Sequence, residues 1–88
     1  MPRLEFREVA STTYSRFSWL VCDRYFYVHP PHAEWNRFPD IERCQKALGL
    51  EPCRLPVDLL IRLRQLVKDD QGEEAYTELV AAKLRGDA

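Results

Sequence analysis

Two adjacent prolines, Pro30 and Pro31, set between His29 and His32, divide this sequence in two. Neither can donate a backbone hydrogen bond, and Pro30 pushes His29 away from helical geometry, so no helix runs through this point. Ahead of the break, Tyr14, Phe17, Val21, Tyr25 and Val28 recur every three or four residues. That spacing lines one helical face and predicts a long helix within residues 4–28. Ser11, Thr12 and Thr13 weaken it, because their hydroxyls compete for backbone groups, although Ser11 is also a fair cap. The run Tyr25, Phe26, Tyr27, Val28 has high strand propensity and argues against the last turn.

Behind the break the chain reads as an irregular extended segment to Phe38, carrying Trp35 and Phe38, apolar groups that a loop alone cannot bury. Asp40 caps a short predicted helix from Ile41 to Leu48, and Gly49 suits its left-handed end. Pro56 opens a third helix with an apolar stripe of Leu59, Leu60, Leu63, Leu66 and Val67. Asp70 and Glu73 resemble a capping box opening a fourth helix, with Tyr76, Leu79, Val80 and Leu84 on one face and Gly86 at its end. The expected fold is all-α: a long N-terminal helix, an extended Pro/aromatic segment, a short helix and a C-terminal helical hairpin. Residues 1–88 form one small helical unit that is marginal alone, since a domain this size buries only about 60 to 65% of its unfolded surface.

Composition narrows the function classes. With 45% hydrophobic and 31% charged residues, the chain is too apolar for disorder and too charged to span a bilayer. Arg16 and Asp23 bracket its most apolar run, so no transmembrane helix is expected. The N-terminus mixes Glu5 and Glu8 with Arg3 and Arg7, unlike a secretory or transit peptide. Basic residues are scattered, which argues against nucleic acid. The acidic residues lean toward the C-terminal end, from Asp69 onward.

Three cysteines, Cys22, Cys44 and Cys53, are the reactive candidates. On one straight helix Cys44 and Cys53 would lie roughly 13 Å apart, but Gly49 and Pro52 let the chain fold back, so a disulfide is as admissible as two reduced core thiols. Cys22 reads as a packed core thiol. His29, His32, Cys44 and Cys53 offer four zinc ligand types, but the nine-residue step between the cysteines is too wide for one knuckle, and no metal is expected. Glycine is confined to Gly49, Gly72 and Gly86, each fitting a helix boundary or loop, so there is no phosphate-binding loop. No spacing singles out catalytic residues, and no cofactor is expected. The aromatic block Tyr25, Phe26, Tyr27, with Trp35 and Phe38, suits either an interface core or the chain's own packing.

Arg24, Tyr25, Phe26 and Tyr27, then His32, Arg37, Pro39, Asp40, Ile41 and Cys44, resemble the signature of the PDSW subunit family of mitochondrial respiratory complex I. In that family an arginine and a run of tyrosines precede a histidine, then Pro-Asp-Ile and a cysteine. The resemblance spans residues 24–53 and implies a structural accessory subunit of NADH:ubiquinone oxidoreductase with no catalytic role. It implies a site peripheral to the inner membrane on the intermembrane-space side, clamping other protein subunits of a large membrane complex. It further implies a Cys44–Cys53 disulfide in that oxidising compartment, and partner contacts at Tyr25, Phe26, Tyr27, Trp35 and Phe38. The alternatives are an accessory or assembly protein of another mitochondrial respiratory complex, or a small zinc-binding adaptor.

Overall fold

The structure, a computed structural model, describes residues 2–12, 15–28 and 41–88. The all-α expectation is wrong in the N-terminal half, which forms β1 (Glu5–Thr12), β2 (Ser15–Cys22) and β3 (Tyr25–Val28). There follow α1 (Ile41–Leu48), a fourth strand β4 (Glu51–Arg54), α2 (Val57–Lys68) and α3 (Gly72–Arg85). The architecture is mixed α/β, with strand order β1-β2-β3-β4. The first three strands run antiparallel, and β4 returns parallel to β3 after α1.

The helical spacing in the N-terminal half was produced by a sheet covered on both faces. Successive side chains on a strand point to opposite sides. Leu20, Cys22 and Tyr27 join Leu4, Leu55, Leu60, Leu63, Leu66, Ala75 and Leu79 in one core beneath the α2–α3 hairpin. Their strand neighbours Val21, Phe26 and Val28 join Cys44 in a second core under α1, flanked by Trp19, Ile41, Leu48 and Leu50. With both faces buried, Leu20 to Cys22 and Phe26 to Val28 lack the polar alternation that marks a half-exposed strand and read as short unbroken apolar runs. The β2–β3 turn is also hidden from sequence reading. It is made by Asp23 and Arg24 alone, with Asp23 in the left-handed region (φ 56°) where glycine is the usual signal.

The C-terminal half follows its signals more closely. The short helix has the predicted bounds, and Gly49 (φ 69°) and Gly86 (φ 81°) take the left-handed conformation. Pro56 sits at the cap position of α2. The capping box at Asp70 and Glu73 does not form: Gln71 is the N-cap of α3 and makes no side-chain cap bond. Asp70 instead ends α2 in the left-handed region (φ 61°), its N–H donating to Val67 O (3.1 Å) while Gln71 N–H donates to Leu66 O (2.8 Å). This is a Schellman motif with aspartate where glycine is customary.

Candidate functional site

The two outer strands of the sheet differ. β4 has four residues, and the Glu51 and Leu55 N–H groups donate to Arg24 O and Val28 O on the β3 side (2.9 and 2.8 Å). By alternation the residue between Glu51 and Cys53 directs its N–H position outward, and that residue is Pro52, which has none. β1 has eight residues, contains no proline and pairs only with β2. It is the longer and less protected edge.

A groove of about 570 Å³ lies beside β1, lined by residues 3–6 on one side and by Val67, Asp70, Gln71, Gly72, Glu73 and Glu74 on the other. Glu5 and Phe6 are adjacent on one strand and so point to opposite faces of the sheet, yet both border the groove. The groove therefore follows the strand's edge rather than lying over one face. Its far wall is the α2–α3 turn and the first turn of α3. The two walls are tied together where Leu4 N–H donates to Gly72 O (3.0 Å). Glycine is required there, because a Cβ at position 72 would overlap the Leu4 carbonyl oxygen.

Outside the groove lining, Arg64 on α2 holds Phe6, one of the lining residues. Its Nη1 donates to Ser18 O on β2 (2.9 Å), and its guanidinium lies 5.0 Å from the centre of the Phe6 ring. Burial lowers the Arg64 pKa from its ordinary value. Arg3 Nε meets Glu5 Oε1 at 2.8 Å. The groove carries one basic side chain, Arg3, against four acidic ones, Glu5, Asp70, Glu73 and Glu74. Among the described residues, Asp70, Glu73 and Glu74 make no ion pair at contact distance.

The residues singled out in the sequence lie elsewhere. Cys44 shares a core with Phe26, while Cys53 borders the core that contains Tyr27. Phe26 and Tyr27 are consecutive on β3, so the sheet separates the two cysteines, and no disulfide joins them. Gly49 does turn the chain back, but into a strand whose thiol faces away from α1. Phe26 and Tyr27, expected at a partner surface, are core residues at 0% and 4% exposure, and Tyr25 is half-buried beside them. Trp35, Phe38, His29, His32 and Asp40 lie outside the described residues. Among the described residues no cluster of His, Cys, Asp or Glu could hold a metal ion, and no helix is long and apolar enough to cross a membrane.

Two buried titratable groups sit under α3. Tyr27 is raised well above the ordinary phenol value by burial, with smaller contributions from Cys22, Cys53, Tyr25 and Tyr76. The Cys22 thiol is pushed up by burial and then by Asp23 and Glu5, which disfavours the thiolate. Lys83 Nζ stands 5.6 Å from the Tyr25 ring centre and 6.0 Å from that of Tyr27, closing this side of the core.

Sequence reasoning missed the groove because its walls are more than sixty positions apart. The one available signal was Gly72, read as a helix boundary when its role is close backbone approach. No protein-family model matches the chain, and no curated protein or solved structure matches it either.

Proposed function

We propose that this chain is a non-catalytic accessory module that joins a larger protein assembly by taking an extended segment of a partner onto the β1 edge. The observation that carries this reading is the groove, which borders both faces of the longer, less protected edge strand and is walled by the α2–α3 turn. An added strand gains main-chain hydrogen bonds along the edge and side-chain contacts on alternate residues. The opposite edge, short and interrupted by Pro52, is blunted against the same event.

The accessory role agrees with what the resemblance at residues 24–53 implies. Its helical fold is not the fold of this chain, and the assignment to complex I and to the intermembrane-space side is left resting on those residues alone. The edge-docking proposal does not depend on that assignment.

The test is a titration of the labelled full chain with a soluble eight-residue peptide of alternating Thr and Val, followed by backbone amide shifts. Shifts centred on residues 5–8 and 70–74 are expected. Shifts confined to β4 or α1, or none at millimolar peptide, would contradict the proposal.

A further inference from the structure

Resting on that reading, we infer that the segment seated on β1 is basic, with lysine or arginine at the end that reaches the α2–α3 turn. The acidic excess is local. The whole chain has a formal net charge of -1, and farther along the same edge Arg7 stands beside Glu8, which meets Arg16 at 3.7 Å. Only where the groove opens do four carboxylates face one guanidinium, and Glu5 already holds that guanidinium.

Helix stabilisation explains part of this arrangement and not the rest. Glu73 and Glu74 stand in the first turn of α3, where the helix dipole favours anions. Asp70 precedes the helix in a left-handed position that glycine would occupy with less strain, and Glu5 belongs to the strand on the opposite wall. Negative charge therefore enters the groove from both sides and from three separate elements. An extended backbone on β1 would carry its terminal side chains between these walls, where a cation is attracted and a carboxylate repelled.

Three versions of the Thr/Val peptide, ending in two lysines, two glutamines or two glutamates, separate the outcomes. The lysine form is expected to bind about tenfold more tightly than the glutamate form at low salt, with the gap closing as salt is raised. Asp70→Asn combined with Glu73→Gln and Glu74→Gln should erase the preference, bringing the lysine peptide's affinity down to that of the glutamine peptide. Equal binding of all three peptides would overturn the charge inference and leave edge docking standing. No binding by any of them would overturn both.

Discussion

The two edges of this sheet carry opposite solutions to one problem. An outer strand offers unpaired backbone groups to any other chain, and proteins suppress this with short strands, prolines or charge. β4 is four residues long and places Pro52 where an outward donor would stand. β1 is twice as long and lacks proline, and it borders a groove that the fold keeps open beside it. This contrast is what supports the proposal that β1 is the edge that takes a partner strand. On that proposal, Glu5, Arg7 and Glu8 on β1 would disfavour indiscriminate association.

The largest effect expected on this contrast comes from Gly72→Ala. The added methyl group would overlap the Leu4 carbonyl oxygen, so α3 and the start of β1 must separate, at a cost of about 1 to 3 kcal/mol. Urea denaturation should show that loss, together with faster amide exchange at the β1 end. Unchanged stability would mean the Leu4–Gly72 tie does not hold the groove's walls.

The β3–β4 side should respond to alkali. Tyr27 is protonated in the folded chain well above 10.0, the ordinary phenol value, because burial disfavours the phenolate. Its raised folded pKa contributes stability that is fully present below the unfolded value and is lost as pH rises from about 10 toward the folded value. Thermal melts between pH 8 and 11 should show this decline, and Tyr27→Phe should flatten it. An identical alkaline decline in the variant would remove Tyr27 as its source.

Much of the helical half was legible in sequence, and the reasons are local. Ile41–Leu48, the stripe through Leu60, Leu63 and Leu66, and Gly49 and Gly86 act within a few residues of themselves. Of the strands only β3 left a trace, in the strand propensity of Tyr25 to Val28; Phe26 and Tyr27 are buried on opposite faces, so the sequence there has no polar beat to reveal a period of two. Asp23 concealed the β2–β3 turn by occupying a left-handed position without glycine, whereas at the α2–α3 turn, which the sequence did reveal, it was the left-handed role of Asp70 that was misread as a helix cap. The groove was least legible of all, since residues 3–6 meet residues 67–74 only after the sheet and hairpin have formed.

A smaller effect follows from Asp70. Replacing Asp70 with glycine relieves the left-handed backbone at the end of α2 and should stabilise the chain by about 0.5 to 1 kcal/mol in denaturant melts, while weakening the lysine peptide. A gain in stability with no loss of affinity would exclude Asp70 from the groove's charge. The smallest effect is expected at the other edge. Pro52→Val restores an outward donor to β4 and should introduce weak, concentration-dependent association in sedimentation experiments. If the variant sediments like the parent at every concentration, proline is not what blunts that edge.

The claim that β1 is the docking edge is tested most directly by amide hydrogen exchange of the full chain, free and saturated with the lysine-tailed peptide. An added strand protects the outward amides of the strand it joins. Slowed exchange is expected on alternate residues of β1 between positions 5 and 10, with no change across residues 51–54. Protection appearing on β4, or on neither edge, would contradict it.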